Sequence, residues 1–203
     1  MQAELKKILV TGFEPFAGSQ LNPSQLLVTA LQKEEIPGAT LETLILPVEF
    51  EAASEQLLSK VRECNPALVI SFGQAEGREA ITPEKIAINL DDARIPDNSG
   101  DQRRNQTIID SAPDGYFSTL PVERMVEAIK AAGISSQLSL SAGAFVCNHI
   151  FFMLQHSLRG TGIKSGFIHL PLVPEQSPEF PGKPTMELSE MVRAARAAIL
   201  SAL

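Results

Sequence analysis

Short aliphatic runs alternate along this chain with segments of helical period, and this alternation constrains the fold more than any other feature. The runs are Lys7 to Thr11, Thr40 to Leu46, Ala67 to Phe72 and Gly166 to Leu170. Between the second and the third run, Phe50, Ala53, Leu57 and Val61 recur at helical spacing. Because strands that are joined through packed helices run parallel, the pattern predicts an α/β layer architecture with a largely parallel sheet.

Caps, prolines and periodicity predict the other elements. Helices are expected over Ser24 to Glu34, Glu49 to Glu63, Pro121 to Ala132 and Phe145 to Leu158, with a last helix whose apolar stripe runs from Leu188 to Ile199. Ile86, Ile88 and Leu90 alternate as in a strand or hairpin arm, and Gln137 to Leu140 is predicted to be another short strand. Proline, glycine and polar residues dominate 96–113, which predicts a long ordered loop.

The composition is that of one ordinary globular domain spanning 1–203. Hydrophobic residues make up 44% and charged residues 20% of the 203 positions, which excludes a disordered or fibrous chain. The 17 basic and 24 acidic side chains give a net charge of 17 − 24 = −7. This acidic balance argues against nucleic acid or an anionic membrane as the main partner.

Cysteine usage and hydropathy suggest a cytoplasmic location. The chain has only two cysteines, Cys64 and Cys147, which lie far apart in a chain too large to need a disulfide. No apolar run approaches the length of a membrane span, and the charged start lacks the apolar region of a signal peptide. We therefore expect two thiols in a soluble cytoplasmic protein.

Cys147 is a candidate nucleophile because of its position. It follows a predicted strand and lies within about one turn of the start of a predicted helix. Free backbone N–H groups and the positive end of the helix dipole favour a thiolate there. The competing interpretation is a small buried hydrophobic side chain, which describes most free cysteines.

A cysteine nucleophile needs a base, and the chain offers three histidines. On a helix, His149 lies about 200° round from Cys147, and His156 lies about 180° round and roughly 13 Å along the axis. His169 follows the last predicted strand at its carboxyl end, the edge where ligand crevices form in open α/β sheets. We therefore predict that His169 is the base.

A carboxylate should orient the imidazole, but spacing leaves its identity open. Glu84, Asp91, Asp92 and Asp97 all fall in the polar insertion that follows the third strand. The chain has no paired cysteines, helical histidine pair or phosphate-binding glycine pattern. We therefore expect no metal and no cofactor.

Several long motifs are spread over nearly the whole chain. They are Thr11 to Phe16, Phe72 to Ala75, Ile81 to Asn89, Asp92 to Asn98, Gly143 to His149, Ile168 to Pro171, and Pro174 to Gln176. Together they resemble the pyroglutamyl peptidase I family, also called pyrrolidone-carboxylate peptidase, a family of cysteine peptidases. The resemblance implies a three-layer α/β/α sandwich around a twisted, largely parallel mixed sheet.

The resemblance also implies an activity and a set of site residues. The reaction is hydrolysis of the amide bond after an N-terminal pyroglutamyl residue, without a cofactor or a metal, and pyroglutamyl peptides are the substrates. The family's triad corresponds to Glu84, Cys147 and His169. Phe13 and Phe16 would form the ring pocket, Gln74 would border the site and Arg94 would lie near the nucleophile. A homotetramer or homodimer is expected.

Three residues depart from the family pattern. Glu76 replaces a common glycine, Ala144 replaces a frequent threonine, and Leu172 stands where an aromatic residue is common. We expect Leu172 to alter the groove beside the scissile bond. Two alternative functions stay open: another thiol-dependent amidase or esterase on the same scaffold, and a non-catalytic homologue that binds a small ligand.

Overall fold

A five-stranded sheet lies at the centre of the structure, a computed structural model that describes residues 5–203. Its strand order is β2-β1-β3-β7-β4, formed by β1 (Lys6–Phe13), β2 (Ala39–Leu46), β3 (Leu68–Gln74), β4 (Thr82–Pro83) and β7 (Lys164–Leu170). Four strands run parallel, and β4 pairs antiparallel with β7 at one edge. The largely parallel mixed sheet expected for this chain is confirmed.

Helices cover both faces of the sheet. Helices α1 (Pro23–Leu31), α3 (Val122–Ala131) and α5 (Leu188–Ala202) pack on one face, and α2 (Phe50–Cys64) and α4 (Val146–Ser157) pack on the other. Alternation along β1 shows why both faces are buried: Ile8 and Val10 enter the first layer, and Leu9 between them enters the second. The α/β fold class is therefore confirmed.

Glycine has a packing role in β1 that sequence reasoning missed. The predicted run ends at Thr11, but the strand continues through Gly12 to Phe13, which lies beside Leu46 of β2. A side chain at Gly12 would place its Cβ 2.4 Å from the backbone oxygen of Ser24. Gly12 thus lets helix α1 approach the strand closely and does not end the strand.

The insertion after β3 forms a small second sheet. Strand β5 (Ile86–Ile88) pairs antiparallel with β6 (Gly115–Phe117), which confirms the strand expected at Ile86 and Ile88, whereas Leu90 lies beyond its end. The strand expected over 137–140 is wrong. This segment makes one isolated bridge, from Ser139 to Glu84, and the preceding Ser136 makes another to Ile81, because β4 is too short to support a longer ladder.

Over residues 5–203, none of the helices combines the length and apolar character that a membrane span requires.

Candidate active site

A cavity of about 650 Å³ opens at the carboxyl edge of the sheet. The ends of β1, β3 and β7 contribute Phe13, Gln74 and His169 to its wall, and the start of α4 contributes Cys147. Parallel strands direct their carboxyl ends to the same edge, so residues far apart in sequence converge there.

Cys147 is the second residue of α4, and no side chain caps the start of this helix. The residue is half-buried and lines the cavity. Burial raises the pKa of the Cys147 thiol to about 12, and the negative charge of Glu84 adds to this rise, whereas Arg78 and the cysteine's own N–H oppose it. The structure therefore does not support the resting thiolate expected from the helix start: burial outweighs Arg78 and the cysteine's own N–H, the groups that favour the charged form.

His169 is the sixth residue of β7, and its Nδ1 lies 2.7 Å from Oε1 of the fully buried Glu84. The backbone N–H of Glu84 also donates to the carbonyl of Phe167, so strand pairing fixes both partners. An ionised carboxylate can only accept, so Nδ1 carries the proton and Nε2 is the basic nitrogen. Burial lowers the pKa of His169 below its ordinary 6.5, although the hydrogen bond to Glu84 opposes this, and the imidazole is neutral at rest.

The other two histidines have partners outside this cavity wall. His149 Nδ1 lies 2.8 Å from Asp91 Oδ2, which also accepts a hydrogen bond of 3.0 Å from Arg103. His156 Nδ1 lies 2.9 Å from the hydroxyl of Tyr116. Neither histidine joins Cys147 in the cavity wall, as the helical geometry predicts.

The structure also distinguishes among the carboxylates that spacing left open as partners of the imidazole. Asp97 accepts hydrogen bonds from backbone N–H groups that include Phe50, and it organises the loop. Asp92 lines the cavity but pairs with Arg104 at 3.7 Å. Among these carboxylates, Glu84 is the one bonded to His169.

All four residues expected at the substrate subsite line the cavity. Phe16 is half-buried and packs on Phe145, with ring centroids 6.3 Å apart. Phe13 is only 2% exposed and belongs to the core layer under α2 and α4. Gln74 accepts a hydrogen bond of 2.9 Å from Gln176 at its Oε1, and Arg94 is exposed on the wall.

Two of the family departures also face the cavity. Glu76 pairs with Lys183 at 3.1 Å, and Ala144 lies beside the helix start. The expected effect of Leu172 on the groove is wrong. Its side chain is fully buried, outside the cavity wall, and its backbone pairs with Thr185.

Two polar residues of the site were missed by sequence reasoning. Arg78 donates to Glu84 at 2.8 Å and lines the cavity. Asn148, next to the cysteine, exchanges hydrogen bonds with the backbone of Ile88 at 2.9 Å and donates to the carbonyl of Leu90 at 3.0 Å. Sequence spacing does not reveal either residue, because each meets its partners only in the tertiary fold.

Within the part of the chain that the structure describes, no three His, Cys, Asp or Glu side chains gather into a group able to hold a metal ion.

A sequence profile described as pyroglutamyl peptidase matches residues 6–203. The chain belongs to the pyroglutamyl peptidase family. A pyrrolidone-carboxylate peptidase of Vibrio parahaemolyticus is 46% identical over 189 residues, which cover 93% of this chain and 88% of that relative. The resemblance seen in the motifs is therefore confirmed.

Solved structures of the family match the whole fold. Pyroglutamyl peptidase I from Bacillus amyloliquefaciens superimposes with a TM-score of 0.92 at 40% identity, covering 97% of this chain and 96% of that one. A mutant pyrrolidone carboxyl peptidase from the hyperthermophile Pyrococcus furiosus has a TM-score of 0.92 at 39% identity, with 97% of each chain covered.

The close packing of Gly73 under the nucleophile generates a prediction. In Gly73→Ala, the new Cβ would lie 2.7 Å from Phe167 Cζ and 2.9 Å from Cys147 Sγ. We expect the displaced sulfur to lower kcat by about 100-fold, since a shift of about 1 Å in a reacting group has such an effect. Steady-state kinetics on protein shown to be folded by circular dichroism would measure this.

Gly166→Ala is the matched control: Gly166 lies in the same sheet as Gly73, but its Cβ would meet the side chains of Ser118 and Leu120 and not the cysteine. Both variants should lose stability, by roughly 1–3 kcal/mol. Equal activity per folded molecule in the two variants would contradict the proposed contact with the sulfur.

Proposed function

We propose that this protein is a cysteine exopeptidase that hydrolyses the amide bond after an N-terminal pyroglutamyl residue and releases pyroglutamate. The observation that carries the proposal is the 2.7 Å contact between Glu84 and His169 at the wall of the cavity that also contains Cys147. Relatives that are 44–46% identical bear the name pyrrolidone-carboxylate peptidase, which supports the same substrate class.

In the proposed reaction, Cys147 attacks the pyroglutamyl carbonyl while Nε2 of His169 takes the thiol proton. A neutral thiol and a neutral imidazole at rest mean that this transfer accompanies the attack, as in general-base catalysis. Glu84 holds the ring and stabilises the imidazolium that forms. The imidazolium then protonates the leaving amine, and the shortened peptide departs.

The second half of the reaction reverses these roles. His169 removes a proton from water, the resulting hydroxide attacks the thioester, and Cys147 leaves as the thiol once the proton returns to it. Free pyroglutamate is released. The first-turn N–H groups of α4, which no side chain caps, are the proposed donors to the oxyanion. Each such donor is worth roughly 3–4 kcal/mol in comparable sites.

The cavity wall supports selection for a cyclised N-terminus. A lactam ring is flat and uncharged, and Phe13 and Phe16 offer it aromatic surface at one end of the cavity. An ordinary N-terminus would bring an ammonium group against these rings, and removing that charge from water without a partner costs several kcal/mol. Gln74 and Arg94 are proposed to contact the substrate from the same wall.

We also propose that the protein acts as a homotetramer or homodimer in the cytoplasm. Leu138 and Leu140 are 37% and 70% exposed on the segment beside β4, and a second copy would cover them. Both cysteines are free thiols, which agrees with a reducing compartment.

The first test is cleavage of a pyroglutamyl amide beside its prolyl and glutaminyl analogues. We expect a strong preference for the pyroglutamyl compound, because only this ring is flat and lacks a charged amine. Cys147→Ser should lower kcat by at least about 1000-fold, as removal of a nucleophile does.

Cys64→Ser is the control for loss of a thiol, since Cys64 lies in the core layer away from the cavity. Preference for either analogue would defeat the substrate assignment, and full activity of Cys147→Ser would remove this thiol from the mechanism.

Phe16→Ala tests the aromatic pocket. Phe16 is half-buried, so its loss should affect the fold less than loss of the fully packed Phe13. We expect KM to rise roughly tenfold with kcat nearly unchanged, which corresponds to about 1.4 kcal/mol of lost apolar contact. Leu200→Ala, at an exposed site on α5, is the control. An unchanged KM together with a lower melting temperature would show that Phe16 is structural.

The neutral resting pair predicts the pH dependence. The pKa of His169 is lowered below 6.5, so kcat/KM should fall only as acid protonates the imidazole, and it should stay level from about pH 7 to about pH 9. Because burial raises the pKa of Cys147 to about 12, iodoacetamide alkylation should still accelerate with pH across that range. Mass spectrometry of the Cys147 peptide measures this, and an alkylation inflection in the acidic range would instead reveal a resting thiolate.

A further inference from the structure

Arg78 directly contacts Glu84, the carboxylate partner of His169, and the proposed mechanism does not use it. Its Nη1 donates to Oε1 of Glu84 at 2.8 Å and to the hydroxyl of Thr82, and its Nη2 donates to the carbonyl of Ser141 at 3.0 Å. One guanidinium therefore joins the β4 edge, the buried carboxylate and the loop that leads into α4.

The environment of Glu84 shows why such a partner is needed. The carboxyl group is fully buried, and Oε1 receives hydrogen bonds from both Arg78 and His169. Within residues 5–203, Oε2 has no hydrogen-bond partner. Arg78 is also the one fully charged cation within ion-pair distance of Glu84 in this range, since the other partner is the neutral His169. A buried carboxylate without a cation would be strongly destabilised.

We propose that Arg78 is a positioning residue of the catalytic apparatus: by sharing Oε1 of Glu84 with His169, it offsets the charge of the buried carboxylate and holds it directed at Nδ1. The proposal deepens the peptidase function and rests on it. Arg78 acts through Glu84, for which it is the cation at ion-pair distance while His169 is neutral, as far as residues 5–203 are concerned.

Arg78 also sets the balance of charge around the imidazole. The positive guanidinium lowers the pKa of His169 and of Cys147, whereas Glu84 raises both. Other charged groups on the cavity wall are Glu76, Asp92, Arg94 and Lys183. Glu76 pairs with Lys183 and Asp92 pairs with Arg104, so part of this outer charge is neutralised in place. Loss of Arg78 would leave the Glu84 charge to favour the imidazolium.

The test compares Arg78→Met, Arg78→Lys and a control, Arg193→Met, at an exposed position of α5. In Arg78→Met we expect the acid limb of the kcat/KM profile, where activity falls as His169 is protonated, to move to higher pH by at least about one unit. Below the new limb, the fraction of neutral imidazole should therefore be about tenfold lower than in the wild type. Arg78→Lys keeps the charge but cannot make all three contacts of the guanidinium. Its acid limb should therefore stay near the wild-type pH, while its rate should lie between those of the wild type and Arg78→Met. Arg193→Met should match the wild type.

A double-mutant cycle tests whether Arg78 acts through Glu84. Glu84→Gln removes the charge that Arg78 is proposed to hold, so adding Arg78→Met to that variant should change kcat less than about threefold. Additive losses in the double variant would overturn the proposal. A raised KM with an unshifted pH profile would also overturn it and would make Arg78 a substrate contact.

The pH profile of Cys147 alkylation gives a readout that needs no peptide cleavage. Arg78→Met should shift this profile to higher pH, because the guanidinium favours the thiolate. If the wild type failed to cleave pyroglutamyl amides while this shift appeared, the peptidase function would fail and the role of Arg78 would stand. If both Arg78 variants lost activity only in proportion to their folded fraction, with unshifted profiles, Arg78 would be merely structural.

Discussion

The antiparallel pairing of the two-residue strand β4 with β7 is the constraint on which the candidate site depends. Thr82 lies opposite His169 and Pro83 lies opposite Ile168, so Glu84 emerges at a fixed distance from the imidazole. Backbone hydrogen bonds set this geometry and do not rely on flexible side chains. Pro83 is tolerated because β4 is an edge strand of the sheet, where one backbone N–H can be lost.

Much of the layer architecture could be predicted because it depends on local pattern. The alternation of side chains between the two faces of β1 and the apolar stripe of α2 can each be recognised from a short stretch of sequence. The short strand expected over 137–140 failed, since local propensity does not reveal whether a neighbouring strand is long enough to pair. The continuation of β1 past Thr11 was missed for the same reason: the close contact of Gly12 with Ser24 is tertiary.

The residues of the site also divide into those with a local sequence signal and those defined only by tertiary contacts. Position alone singled out Cys147 and His169, because helix starts and strand ends can be recognised in sequence. Spacing did not choose Glu84; the family resemblance did. The resting ionisation was also beyond sequence reasoning, because burial of the thiol outweighs the helix start. Arg78 escaped notice because its partners, Glu84 and the carbonyl of Ser141, meet only after folding.

The different surroundings of the two cysteines have a practical consequence. Cys64 is only 6% exposed at the end of α2, whereas Cys147 is half-buried and lines an open cavity. A slow irreversible thiol reagent would therefore be consumed at one equivalent per competent molecule. Stoichiometric active-site titration of a preparation is thus available without any engineered cysteine replacement, and specific activity can be expressed per functional centre.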